Sequence, residues 1–509
     1  MAKPNVVLIL ADDLGYGDLS CFNESSKLHT RRLDQLAAEG MRCTDAHASS
    51  ALCTPSRYGL MTGRYNWRSQ LKAVVLMGMH RHLIEDGRTT LGTLFKGAGY
   101  NTACIGKWHL GLDWALEEGA DPKLTEIGPP PPGGPAAIAS EGGEYTPIRY
   151  DLPLADGPHT HGFDYSWVTP GSLDIPPYVY VENGMVSQRP DRKTGIPDYW
   201  QRAMGPNVDK EVKFSKWPMG DTGANYETMD VVPDTARRVL DKMDELCADD
   251  KPFFLYYPIH APHVPCVPTP EFAGKSAIGP YGDMVLMVDS IVGRICDKLA
   301  EHGKDQDTIV IFTSDNGSEM RFAEEGHISN YIFRGLKSDI WDGGHRIPFI
   351  VRWPGHVAPG SVCAQTTCLT DLMATFADVL GVKLADDEGE DSVSNLPLWQ
   401  GQDAPIREAT VHSSGGGMFG IRKGKWKLEM CPDAGRPGPA HAEPGQPPIQ
   451  LYDMEADPSE TTNVWDRHPD VVAELTELLT QYVFSGRSTP GAPQKNTGPE
   501  RWPQINWLN

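Results

Sequence analysis

Several clusters of residues in this chain have the types and spacing that chemistry requires. Asp12-Asp13 close one short apolar run and Asp315-Asn316-Gly317 close another. Such oxygen ligands suit a hard cation, Ca²⁺ or Mg²⁺, although Asp-Asp-x-Gly is also a common turn. Lys107 and His109 lie two apart in Gly106-Lys107-Trp108-His109-Leu110-Gly111. On an extended segment they would face the same side, the lysine holding an anion and the histidine orienting or deprotonating a hydroxyl. His260-Ala261-Pro262-His263 and Lys337 add two imidazoles and another cation. Cys53-Thr54-Pro55-Ser56-Arg57 runs on into Tyr58-Gly59-Leu60-Met61-Thr62-Gly63-Arg64. Taken alone, this is a buried cysteine at a turn into a helix, with Pro55 at the first helical position.

The elements that must position these groups follow from apolar patterning. Strand-like runs alternate with helical segments over roughly the first three quarters, predicting an α/β fold with a mainly parallel central sheet sandwiched by helices. Runs at 5–10, 253–257 and 308–313 end beside Asp12-Asp13, His260 and Ser314-Asp315-Asn316-Gly317. The carboxyl ends of strands are where open α/β sheets build sites. Helices are expected at 31–39, with Gly40 as stop, at 234–247, and from about 282 to 302 before Gly303. Residues 117–158 contain Pro129-Pro130-Pro131-Pro132-Gly133-Gly134-Pro135 and read as a long irregular excursion, a surface loop or a pocket rim. An acidic, apolar-poor stretch at 386–394 marks a seam. It divides the chain into a catalytic α/β domain, 1–385, and a smaller α+β unit, 386–509. The latter has a hairpin over 418–430, a helix over 470–483 and a wrapping tail from Ser485.

Composition removes several function classes. Against 46 Lys and Arg stand 68 Asp and Glu, a net charge of −22, which argues against nucleic acid as partner. A local cluster of cations can still bind an anionic substrate. Hydrophobic residues make up 39%, and no stretch is long and apolar enough to span a membrane. Ten cysteines without a C-x-x-C pair do not form a disulfide framework; Cys363 and Cys368 read as independent buried thiols. Met1-Ala2-Lys3-Pro4 leads straight into the first apolar run, too short for a signal peptide. A cytoplasmic location is expected, or a periplasmic or secreted one if a leader was removed.

The C-x-P-S-R and T-G-R segment at 53–64, with G-K-W-H-x-G at 106–111, resembles the signatures of type I sulfatases. Phe333-Arg334-Gly335-Leu336-Lys337 and Trp341-Asp342-Gly343-Gly344-His345-Arg346-Ile347-Pro348 resemble that family's lysine and E-G-G-x-R-x-P segment, with Asp342 where glutamate is usual. That change touches a structural contact rather than the chemistry. His161-Gly162-Phe163-Asp164 and Leu451-Tyr452-Asp453, with Asp457-Pro458 and Glu460, extend the resemblance over the whole chain. It implies an alkaline-phosphatase-like fold and a sulfuric ester hydrolase. It also implies that a maturation enzyme converts Cys53 to 3-oxoalanine (formylglycine), whose hydrate attacks sulfur. Asp12, Asp13, Asp315 and Asn316, with an oxygen on modified Cys53, would hold a divalent ion, Ca²⁺ ahead of Mg²⁺. Arg57 and His109 would hold or deprotonate the second hydroxyl, so that its collapse to the carbonyl expels sulfate. Lys107 and Lys337 would bind the sulfate. His263 is preferred for the leaving group, with His260 as its alternative.

The expected substrate is a sulfated sugar or oligosaccharide. His80, Arg81, His82, Asp174, Tyr178, Tyr180, Trp200, Arg202, Arg321 and His412 are the recognition candidates, as polar or aromatic residues in expected loops. The alternatives are a permissive arylsulfatase and a phosphate or phosphonate ester hydrolase of the same superfamily. If Cys53 stays unmodified, a non-catalytic protein that binds sulfated glycans is the remaining reading.

Overall fold

Asn5–Asp12 is an unbroken run of eight buried residues, the pattern of a strand covered on both faces. In the computed structural model, which describes residues 3–127, 147–194, 219–438 and 445–508, this strand lies at the centre of the main sheet. Phe253–Pro262 and Thr308–Ser314 flank it, both parallel to it, so that Leu8 sits between Tyr256 and Ile311. Asn101–Lys107 pairs with Phe253–Pro262 and Tyr165–Thr169 pairs with Asn101–Lys107, again in parallel. Short strands, several of them antiparallel, extend both edges to a total of ten.

The period-two alternation of strands sorts the core into two layers. Val7 and Ile9 point into one, shared with helices Arg31–Glu39, Val231–Ala248 and Pro280–Glu301. Val6, Leu8 and Leu10 point into the other, shared with Cys53–Thr62, Leu91–Gly97 and Leu372–Leu380. The expected α/β sandwich is therefore present, and its helices fall where capping and periodicity put them. Arg31–Glu39 ends at Gly40 as expected.

A second sheet of four antiparallel strands runs in chain order: Thr410–Ser413, Phe419–Lys423, Trp426–Glu429 and Gln450–Asp453. Helix Pro469–Ser485 covers it, and Leu475 and Leu479 share a core with Val411, Phe419 and Leu451. Tyr65 and Trp67 enter the same core from the first part of the chain. The last segment returns across the molecule, with Asn496 donating to the Val483 carbonyl at 2.8 Å and Gln504 to that of Gly416 at 2.8 Å.

The acidic stretch at 386–394 is not simply a solvated run. Asp391 is buried, accepting from Arg68 Nε and Nη2, each at 2.8 Å, and from the Tyr65 amide. Glu390 is buried against Arg64 and Arg88. Guanidinium partners remote in sequence convert an apparent surface charge run into a buried ion-pair clamp. Cys363 stands in direct register with Cys43 on the neighbouring strand.

One glycine is fixed by close approach. Gly106 has φ of 130°, and a Cβ there would lie 2.1 Å from the Pro258 carbonyl oxygen. Gly106→Ala should therefore destabilise the protein by about 3 kcal/mol or more, from backbone strain and clash together. Thermal unfolding measures this, and an unchanged midpoint would refute the tight contact. Among the described residues no helix is long and apolar enough to cross a membrane.

Candidate active site

The carboxyl ends of the parallel strands bring Asp12, Lys107, His260 and Asp315 to one edge. Asp13 turns out of its strand in the left-handed region, φ 65°, with its amide donating to Asp315 Oδ1 at 3.2 Å. Gly317 closes the neighbouring turn where a Cβ would meet the Gly343 carbonyl oxygen at 1.9 Å. Cys53 opens a helix whose ten residues are all buried. That helix begins two residues before Pro55, which is its third residue rather than its first.

Cations interlace with the carboxylates. Lys107 Nζ donates to both oxygens of Asp12 at 2.8 Å. Arg57 donates to Asp315 Oδ2 from Nε at 3.1 Å and Nη2 at 2.7 Å, and its Nη2 lies 3.3 Å from Asp12 Oδ1. Its Nη1 donates to the Lys107 carbonyl at 3.1 Å, tying the Cys53 helix to the end of the Asn101–Lys107 strand. Lys337 Nζ donates to Asp13 Oδ2 at 2.7 Å, and His263 Nε2 lies 3.6 Å from that same oxygen. The other ring nitrogen of His263 faces the Val264 carbonyl, leaving Nε2 for the site.

Burial alone would raise the Asp12 carboxyl, but Lys107, His263, Arg57 and Lys337 hold it well below the usual carboxylate range. Burial pushes Asp315 up to about 6 despite the Arg57 guanidinium. Three buried carboxyls thus converge on one locus. Asn316 Nδ2 donates to Asp13 Oδ1 at 2.7 Å, and its buried Oδ1 has no hydrogen-bond partner among the described residues. This set of hard oxygens could hold a divalent cation of the Ca²⁺ or Mg²⁺ type.

Burial also raises the Cys53 thiol above its ordinary value, against the pull of Lys107 and Lys337. The thiolate is the reactive form of cysteine, so the unmodified side chain is a poor nucleophile here.

The geometry of His109 differs from the expectation. The strand ends at Lys107, and His109 has φ of 55° rather than an extended conformation. A left-handed turn, not strand alternation, sets its direction. Its Nε2 donates to the Leu76 carbonyl at 2.8 Å, while Nδ1 is buried with no partner among the described residues. Burial, reinforced by Lys107, holds the ring neutral by pushing its pKa well down, leaving Nδ1 as an unpaired hydrogen-bond acceptor.

The two histidines at the end of strand Phe253–Pro262, His260 within it and His263 just past it, are distinct. Thr169 Oγ1 donates to the Gly171 carbonyl at 2.8 Å and faces His260 Nε2 at 2.6 Å. The Thr169 hydrogen is thereby engaged, so His260 donates from Nε2, and burial drives its pKa down to about 3. His260 is neutral, with Nε2 engaged and a buried Nδ1 that has no partner among the described residues, whereas His263 presents Nε2 beside Asp13. Thr169 itself was not singled out from sequence. Its signal was the strand Tyr165–Thr169 directly after His161-Gly162-Phe163-Asp164, ending level with Lys107.

Asp342 lies outside this cluster. Its carboxylate accepts from Lys427 at 2.9 Å and Arg346 at 3.1 Å, the structural contact expected of it. Among the recognition candidates, Tyr178 and Tyr180 are core residues, 1% exposed, with Tyr180 against Trp167 and both against Tyr226. His412 is fully buried and stacked on His345. Aromatic packing, not loop exposure, accounts for these three. His82 pairs with Asp113 at 2.9 Å, and His80 accepts from the Met77 amide. Asp174 is half-buried, Arg81 and Arg321 are exposed, and Trp200 and Arg202 fall outside the described residues.

Fold and site together gather a carboxylate cluster interlaced with cations at the strand ends, an arrangement suited to an anionic ester. A family model described as Sulfatase matches residues 4–121 and 173–382. The N-acetylgalactosamine-6-O-sulfatase of Bacteroides thetaiotaomicron is 35% identical, covering 94% of this chain and 92% of that protein. Human arylsulfatase A is 30% identical over 94% of this chain and 86% of its own. A solved Bacteroides thetaiotaomicron sulfatase, from work on the metabolism of multiple glycosaminoglycans, superposes with a TM-score of 0.77. It is 32% identical and covers 94% of this chain and 99% of its own. The chain belongs to the sulfatase family of the alkaline phosphatase superfamily, and it is a sulfuric ester hydrolase.

Proposed function

We propose that this enzyme releases sulfate from a sulfated sugar or oligosaccharide, with Cys53 acting after conversion to 3-oxoalanine by a maturation enzyme. The observation that carries this reading is the set of cations, buried Arg57 and Lys107 and half-buried Lys337, around a locus shared with a thiol that burial keeps protonated. Relatives named for N-acetylgalactosamine 6-sulfate chemistry support the sugar. The proposed ion is Ca²⁺ on Asp12, Asp13, Asp315, Asn316 and an oxygen of the modified residue; when bound, it supplies positive charge beside the sulfate oxygens. The aldehyde hydrate supplies a hydroxyl for attack on sulfur and a second hydroxyl whose collapse expels sulfate. Lys107 and Lys337 hold the nonbridging oxygens as negative charge redistributes during S–O cleavage. Arg57 orients the modified side chain, and His109 Nδ1 takes the proton of the second hydroxyl. His263 Nε2 serves the departing oxygen, with His260 holding Thr169 in place. The proposed division of the chain near 385 is supported by the end of the family match at 382.

A permissive arylsulfatase is the second reading, favoured by the identity to arylsulfatase A. The leaving group separates the two. An alkoxide leaves less readily than a phenolate, so a sugar sulfate demands more acid assistance. His263→Ala should lower kcat/KM roughly 10²–10³-fold on a sugar sulfate but only about tenfold or less on nitrophenyl sulfate. Steady-state kinetics on both substrates tests this. Equal losses on the two, or a wild-type preference for aryl sulfates over every sugar tried, would overturn the sugar assignment.

A further inference from the structure

Away from the active site, His47, His345 and His412 form a buried cluster, all with zero exposure. They come from separate parts of the chain: the short strand Ala46–His47, the helix Asp342–His345, and the first strand of the four-stranded sheet, Thr410–Ser413. One ring nitrogen from each lies within 4.8 Å of the others.

The hydrogen bonds fix where the protons are. His47 Nε2 faces Asp45 Oδ1 at 3.0 Å, His345 Nε2 faces the Ile340 carbonyl at 3.0 Å, and His412 Nδ1 faces the Ala48 carbonyl at 3.0 Å. A carbonyl only accepts, as does an ionised carboxylate, and Asp45 is held well below its usual range; burial opposes this, but Arg346 and Arg422 outweigh it. Each ring therefore donates outward. That leaves lone pairs on His47 Nδ1, His345 Nδ1 and His412 Nε2. The first two nitrogens are only 3.0 Å apart, and His412 Nε2 has no partner among the described residues. Two facing lone pairs at that distance require a cation between them, either a shared proton or a metal. A shared proton satisfies only the His47 and His345 nitrogens and leaves His412 Nε2 unpaired, whereas one metal ion can take all three.

From this geometry we infer that His47, His345 and His412 form a second metal site, distinct from the carboxylate locus, that takes a zinc-type transition ion. Imidazole nitrogens suit Zn²⁺ and its neighbours, whereas Ca²⁺ and Mg²⁺ prefer oxygen. Outward N–H donation to a carboxylate or carbonyl is the arrangement that orients metal-binding histidines. Zn–N bonds of 2.0–2.1 Å put tetrahedral ligand nitrogens roughly 3.4 Å apart, close to the His47–His345 spacing. The His345 and His412 rings are stacked 4.1 Å apart and 8° from parallel, so one of them must rotate out of the stack for both lone pairs to meet at one ion. Binding displaces the proton shared by His47 and His345 and completes the shell with water. The ion would fasten the four-stranded sheet, through His412, to the main sheet's flank.

The test is metal content and edge spectroscopy on the full-length protein after exposure to one equivalent of Zn²⁺ and gel filtration. The expected result is about one zinc per chain, with an absorption-edge shell of imidazole nitrogens at about 2.0–2.1 Å. His412→Ala should retain less than a tenth of that zinc while its calcium content is unchanged, which separates this site from the carboxylate one. If His412→Ala fails to fold, anomalous diffraction at the zinc edge on wild type decides the matter by the position of the peak. Wild type that emerges without zinc, a peak at the Asp12 locus or on the surface, or undiminished zinc in folded His412→Ala would each overturn the inference.

Discussion

Cys53→Ala is expected to abolish sulfate release, lowering kcat roughly 10⁴-fold or more, the scale of removing a covalent nucleophile. The fold should survive. Cys53 is 2% exposed, and losing one sulfur from the start of a helix leaves a small cavity that costs about 1–2 kcal/mol. Intact mass on wild type provides the companion result: sulfur and two hydrogens replaced by one oxygen in the peptide bearing Cys53. Cys53→Ser separates nucleophile from exit route, because serine can be sulfated but cannot form the hydrate. A sulfated, stalled Cys53→Ser enzyme is expected. A folded Cys53→Ala variant at wild-type turnover would remove this residue from the mechanism.

The second large effect is expected at Asp12. Its carboxylate accepts from Lys107 and lies beside Arg57, so Asp12→Ala removes a proposed ion ligand and strands buried Lys107, while Arg57 keeps Asp315. Activity should fall about 10²–10⁴-fold through loss of positioned charge. Breaking one side of a buried ion pair costs about 3–5 kcal/mol, so the thermal midpoint should fall too. Added Ca²⁺ discriminates the two causes. A ligand at 100 times its Kd stabilises the folded state by about 2.7 kcal/mol, and Asp12→Ala should lose that gain. Asp315→Asn should lose it as well, while retaining a neutral hydrogen-bonding group beside Arg57. Full activity in verified metal-free wild type would show that the ion has no part in turnover.

Much of the fold was legible because its central strands carry simple signals. Residues 6–10 form a pure apolar run leading to a carboxylate pair, and a similar run at 309–312 leads to Asp315-Asn316. Motif spacing located Cys53, Lys107 and Asp315, and the strand ends then gathered them. What sequence could not supply was the direction of individual side chains. His109 reaches its position through a left-handed backbone that no spacing rule anticipates. Tyr178 and Tyr180 look like recognition residues because aromatic clusters suit sugars, yet they alternate into the core beside Trp167 and Tyr226. Glu390 and Asp391 resemble solvated charge until Arg64, Arg68 and Arg88 arrive from some three hundred residues away in the chain. The three-histidine cluster was equally hidden, since its members are separated by 298 residues in one case.

The total burial of the helix Cys53–Thr62 carries a consequence for timing. A modifying enzyme must, on the proposed chemistry, reach Cys53, Pro55 and Arg57, and in the folded molecule all three are buried. On the proposed chemistry, oxidation and folding are competitors, and the winner is decided once per molecule. A chain that closes first is stable and native in shape, yet permanently silent. Preparations with the same melting behaviour can therefore differ widely in specific activity. Slowing synthesis or raising the level of the modifying enzyme should increase that activity without altering the melting curve.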